Sequence, residues 1–202
     1  MSASQPLLNS PIGELTRAMA SQDSETRVLS EEAFRRALSD AAAAGTELDL
    51  TGRRVLLTSA VKVKRSEVLV IRGGTLVGEC HSIFSIGTDR SGGLPSLTLV
   101  GTILEHTLMS SERKEIGAAV FVMGKARVVI QDATVSSRGG FALWLKHLAS
   151  AEVTRTVVTS AGRTAIAAFN RATVSLEYFT TPYGAVESHV RPTRGYFRGD
   201  II

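Results

Sequence analysis

ARVVIQDATV (Ala126–Val135), SAEVTRTVVT (Ser150–Thr159) and ATVSLEYFTT (Ala172–Thr181) write one pattern three times. Val128, Ala151 and Val174 occupy matching places, as do Ile130, Val153 and Leu176, and both steps are 23 residues (151 − 128 and 174 − 151). A fixed period in the twenties, with strand-like residues inside each unit, marks a solenoid whose repeats bury their apolar sides against one another. Period-2 alternation turns Val128, Ile130, Ala151, Val153, Val174 and Leu176 inward, and Val129, Gln131, Glu152, Thr154, Ser175 and Glu177 outward.

Upstream, short alternating runs (Leu48/Leu50, Val55/Leu57, Val61/Val63, Val68/Val70) are broken by Gly52, Ser59 and Lys64–Ser66, as strands followed by corners would be. No helical stretch separates them, which argues against βαβ units. Coil starts at Leu48, Val68, Leu97, Val128, Ala151 and Val174 give gaps of 20, 29, 31, 23 and 23 and about six coils. The long gaps need loops, and GTDRSGG (Gly87–Gly93) and SSERKEIG (Ser110–Gly117) have loop composition. Ahead of the coils, Ser30 is an N-cap candidate, Glu31 and Glu32 suit the helix dipole, and Phe34, Ala37, Leu38, Ala41 and Ala42 recur at helical spacing before Gly45. This predicts a helix placed to cap the open end of the solenoid. The organisation expected is an N-terminal arm (1–28), a capping helix (29–45), a β-helix (46–185) and a basic C-terminal tail (186–202).

The pattern resembles the right-handed parallel β-helix of the pectate lyase-like superfamily. LDLTGRRVLLTS, EVLVIRGGTLVGE, SLTLVGTILEH and ARVVIQDATV carry the likeness, with short apolar strands, one- or two-residue corners and small-residue strands over roughly residues 46–185. The fold class expected is therefore all-β, a right-handed single-stranded parallel β-helix with an N-terminal capping α-helix. The resemblance implies no single activity, because that superfamily holds lyases, hydrolases, epimerases, tailspikes and non-enzymatic interaction domains.

Composition sets few limits. The 202 residues suffice for one core, the apolar share is 44%, and aromatics make up only 5%. A net charge of +4 admits an acidic partner surface without requiring one. Cys80 is the single cysteine, so no intrachain disulfide can form, and no export signal or membrane span is read; cytoplasmic residence is the expectation.

In the enzymes of the resembled superfamily, the outer face of one sheet forms the substrate groove. Here Glu152 and Glu177 would lie one coil apart and two residues out of register, about 8 Å between Cα atoms, compatible with an inverting pair of carboxylates. Asp132, Arg155 and Tyr178 stack at the following corner at 23-residue steps, and Asp132 can pair with Arg155 across one coil. The superfamily's calcium-dependent lyases cluster several Asp residues beside a basic residue. Asp132 stands without such company, and neither metal nor cofactor is expected. The histidines show no ligand spacing, and Cys80 beside His81 cannot act as a nucleophile–base pair from opposite strand faces.

The remaining signal is aromatic. In FALWLKH, turning Phe141, Leu143 and Leu145 inward leaves Ala142, Trp144 and Lys146 outward. The 23-residue step then sets Phe121 beside Trp144 and Phe169 beside Lys146. Such a patch marks an interface or lies under the chain's own tail, unless a slip at a corner makes Trp144 core. The leading expectation is a non-catalytic scaffold binding a protein partner or larger complex through Phe121, Trp144, Lys146, Phe169 and the tail residues Arg191, Arg194 and Arg198. The alternative is an enzyme on acidic polysaccharide using Glu152, Glu177 and Arg155. A weaker third reading sets nucleic acid against the tail, where Tyr196 and Phe197 interleave the arginines.

Overall fold

A computed structural model describes residues 27–64, 66–87, 94–109, 117–161 and 163–178, with Val186–Ser188 and Phe197–Arg198 as backbone strands. Among the described residues the chain is a parallel β-helix with one helix, and its strands fall into three parallel sheets. Sheet A contains β1 (Arg27–Leu29), β3 (Arg53–Leu57), β6 (Thr75–Gly78), β9 (Ile103–His106), β12 (Thr134–Ser137) and β15 (Val157–Ser160). Sheet B contains β2 (Glu47–Asp49), β5 (Val68–Arg72), β8 (Ser96–Val100), β11 (Arg127–Gln131), β14 (Ser150–Thr154), β17 (Thr173–Glu177) and β19 (Phe197–Arg198). Sheet C contains β4 (Val61–Val63), β7 (Ser82–Ile86), β10 (Ala118–Val122), β13 (Phe141–Leu145), β16 (Ile166–Ala168) and β18 (Val186–Ser188).

Each coil runs from sheet B to A to C. In sheet B, Val128 pairs with Ala151 and Ala151 with Val174, so the 23-residue step is the coil itself. The first coil differs from the sequence reading. Leu48 pairs with Ile71, again a step of 23 (71 − 48), and Leu69 rather than Val68 aligns with Leu97. Val68 is 59% exposed whereas Leu69 and Ile71 are buried. The steps Leu69→Leu97 and Leu97→Val128 are 28 and 31, an excess of 5 and 8 over the coil. The excess falls between β7 and β8 and between β9 and β10, on loops whose residues 88–93 and 110–116 lie outside the described ones.

Corners keep the strands in step. Gly73, Gly101, Asp132, Arg155 and Tyr178 stack at the exit from sheet B, all with left-handed φ of 63°, 62°, 52°, 46° and 50°. The first four donate their N–H to the next coil: Gly73 to the Val100 carbonyl, Gly101 to Gln131, Asp132 to Thr154 and Arg155 to Glu177. The left-handed turn suits glycine and is tolerated by Asp; Arg155 holds it where β14 is paired with β11 on one side and β17 on the other.

The helix α1 (Glu31–Ala44) closes the N-terminal end. Ser30 Oγ accepts the Ala33 N–H at 3.2 Å, and Gly45, at φ 65°, terminates the helix with bonds to the last carbonyls. Phe34 and Leu38 are buried against the first coil. Glu31 does more than complement the helix dipole. Its carboxylate accepts Arg35 Nε and Nη2 (2.9 and 2.7 Å), the Thr58 N–H and hydroxyl (2.9 and 2.8 Å) and the Ser59 hydroxyl (3.1 Å). Partial burial works to raise this carboxyl's pKa. The Thr58 N–H, Arg35 and the two hydroxyls overcome that and bring it down to about 2. One side chain thus ties α1 to the corner between β3 and β4.

At the other end, backbone pairing passes residue 185, where the core was expected to finish. Val186 pairs with Ile166, and Phe197 with Leu176.

Candidate functional site

In sheet B the register puts Glu152 opposite Ser175 and Thr154 opposite Glu177, so the two carboxylates are offset as expected. Both are exposed. Glu152 accepts Arg127 Nη2 at 2.8 Å and its side chain is 51% exposed. A general acid needs the opposite setting, a carboxyl buried away from cations. Arg155 forms a two-pronged pair with Asp132 at 2.6 and 2.8 Å. The Arg155 hydrogen bond holds the Asp132 carboxyl below its ordinary pKa. The Tyr178 ring beside them is 72% exposed. This group is a cross-coil ladder with its charges already matched. Among the described residues, no three His, Cys, Asp or Glu side chains converge as a metal site would require.

The inner end of sheet A carries buried polar chemistry that the sequence reading did not find. Gly78, His106, Ser137 and Ser160 stack in register at the ends of β6, β9, β12 and β15. His106 is 1% exposed. Its Nε2–H donates to the Cys80 carbonyl at 2.8 Å, which leaves Nδ1 to accept the Ser137 hydroxyl at 2.9 Å. Ser137 Oγ in turn accepts the Gly140 N–H at 3.1 Å, and Ser160 donates to the Gly140 carbonyl at 2.7 Å. Every member has a partner, so the ladder satisfies backbone groups at a corner. Burial lowers the His106 pKa and raises that of the Cys80 thiol, whose Sγ–H donates to the Ser82 carbonyl.

Sheet C carries the feature that matches an interaction surface. Phe121 pairs with Trp144 in register, with ring centroids 4.9 Å apart. Phe169 meets the Trp144 edge at 6.4 Å. Lys146 Nζ sits 4.2 Å above the Trp144 ring and 5.8 Å from Phe121, a cation–π geometry. The expected alternation fails at one point. Ala142 N and Leu143 N both donate to the Ala165 carbonyl at 3.0 Å, a bulge that sends two successive side chains inward. Ala142 therefore joins the main core, and Phe141, expected inside, turns outward to lie 5.4 Å from Trp144. Neighbouring strands do the same, since Ile83 with Phe84 and Ala119 with Val120 are adjacent members of the main core.

The result is a second apolar cluster on the outside of the solenoid. Ala118, Phe141 and Ala167 form its base and half-buried Phe121, Trp144 and Phe169 its rim. Trp144 is neither core nor bare surface. Its Nε1–H is shielded from solvent yet has no acceptor among the described residues, a donor left unmet at a cost of about 1–3 kcal/mol. Arg163 Cζ lies 6.0 Å from the Phe141 ring. Of the tail residues assigned to the same role, Arg191 and Arg194 lie outside the described residues, and Arg198 is described only as backbone in β19. Among the described residues no helix is long and apolar enough to cross a membrane. No protein family, curated protein or solved structure matches the chain.

Proposed function

We propose that the chain is a non-catalytic β-helix scaffold that binds a protein partner, within a larger assembly, on the outer face of sheet C. The observation that carries this is the row Phe121–Trp144–Phe169 with Lys146 over it. A half-buried aromatic cluster with a cation and an unmet indole donor is costly on a solvated face and is what partner hot spots are made of. The likeness to the pectate lyase-like superfamily is part of the reading, since that frame also serves non-enzymatic interaction domains. So is a cytoplasmic setting, which the single buried thiol suits. The matched ion pairs on sheet B favour the scaffold over carbohydrate chemistry.

The test is affinity capture with the full chain as bait, comparing wild type with Trp144→Ser and Lys146→Glu, with circular dichroism to verify folding. Loss of a specific partner from both folded variants is expected. Undiminished capture by both would overturn the reading, as would turnover of polygalacturonate that Glu152→Gln abolishes.

A further inference from the structure

The outer faces of the three sheets treat charge differently. On sheets A and B, arginines are neutralised across coils: Arg54 by Glu105, Arg72 by Glu47, Arg127 by Glu152 and Arg155 by Asp132. Among the described residues, sheet C has no such pairs. Its outward row runs Lys62, Ser85, Phe121, Trp144 and Ala167 across β4, β7, β10, β13 and β16. The residues ending those strands are Lys64, Gly87, Met123, Lys146 and Phe169, with Arg163 beside Phe141. Neither these strands nor the residues ending them contain a carboxylate, and the one acid of the sheet, Glu187, sits on β18 in register with Ala167. Four cations thus lie on or beside this face, and no described carboxylate forms an ion pair with the side chains of Lys62, Lys64, Lys146 or Arg163; the Glu67 carboxylate accepts the Lys64 backbone N–H at 2.8 Å.

From this imbalance we infer that the partner segment on sheet C is acidic and extended, and runs along the solenoid axis with carboxylates four residues apart. The inference rests on the scaffold reading above. Lys64 and Lys146 occupy equivalent places on β4 and β13, three strand steps apart, about 14 Å. An extended chain covers about 13 Å in four residues, with the residue two along facing the same side. Acids at i and i+4 meet the lysines, and an apolar residue at i+2 lies over Phe121 and Met123. A single-stranded nucleic acid is disfavoured, because Lys146 already covers the Trp144 face on which a base would stack.

Trp144 is the only tryptophan in the chain, so its fluorescence reports this face alone. The test titrates the full-length protein with a capped peptide containing Glu-Ser-Leu-Ser-Glu. Control ligands are the Gln-for-Glu peptide, a Leu-to-Ser peptide, oligogalacturonate and single-stranded DNA. Saturable binding of the acidic peptide is expected, at least about tenfold weaker with the Gln peptide and similarly weaker with Lys64→Gln/Lys146→Gln protein. Equal binding of the Gln peptide would overturn the acidic inference and leave sheet C as the partner face. Tighter binding of oligogalacturonate or DNA would overturn it in favour of that ligand. If no peptide binds, the inference fails. The scaffold reading then stands only if Trp144→Ser still abolishes partner capture, and falls with it if capture persists.

Discussion

Replacing Glu31 by Gln should unlock α1 from the solenoid. The substitution removes the charge and places an amide N–H₂ against donors, so either Thr58 or both Arg35 and Ser59 lose their acceptor. A carboxyl brought from 4.5 to about 2 represents a difference of 2.5, or about 3.4 kcal/mol at ~1.36 kcal/mol per pKa unit. The side chain is 21% exposed, and screening at that rim roughly halves the figure, to about 1.5–2 kcal/mol. The pH dependence is specific. Because the folded carboxyl has the lower pKa, its contribution is fully present above about 4.5 and is lost as pH falls through about 2. Urea denaturation at pH 7 should show Glu31→Gln less stable by that amount, with hydrogen exchange in α1 accelerated at least as much as elsewhere. The gap should narrow steadily below pH 4.5. Equal stability at pH 7, or a gap that is unchanged at pH 2.5, would refute the reasoning.

Two further perturbations probe the frame. His106 is held neutral by burial, so its folded pKa lies below 6.5. Stability should be full above pH 6.5 and decline as pH falls below it, seen as a falling melting temperature that His106→Gln renders flatter; an unchanged slope in a folded variant would contradict the assignment. At Gly140 an added Cβ would stand 2.0 Å from the Gly117 carbonyl oxygen, so Gly140→Ala should cost about 3 kcal/mol or more. Wild-type thermal stability in that variant would show that the coils can part there at little cost.

Where the sequence could be read, three coils of equal length shared one corner, so 23-residue steps lined up both the core and the pair Phe121–Trp144. It misled at β5, where Val68, Leu69, Val70 and Ile71 are all apolar and alternation cannot choose a face; pairing with β8 decides it. Phe141 was misplaced for a related reason. The bulge depends on two N–H groups sharing the Ala165 carbonyl, and FALWL is apolar at every position. Diagonal partners leave no periodic trace. Arg127 and Glu152 are 25 residues apart and Glu31 and Thr58 are 27 apart, so neither pair announces itself at the coil step. His106 was invisible because Gly78, Ser137 and Ser160, its neighbours in the stack, share no residue type with it.

The fixed step from β11 to β17 also determines which changes of length the chain can absorb. A duplication or deletion of 23 residues there would shift the ends by one strand spacing, about 4.8 Å, while every side chain kept its orientation. A gain of one residue inside a strand would invert the facing of all that follows up to the next corner. Other length changes must be confined to a connection, as the surplus of 5 and 8 residues between β7 and β8 and between β9 and β10 already is. Reach along the axis and the character of each face can therefore vary independently. A chain of this kind can be lengthened like a ruler without altering what is written on its sides.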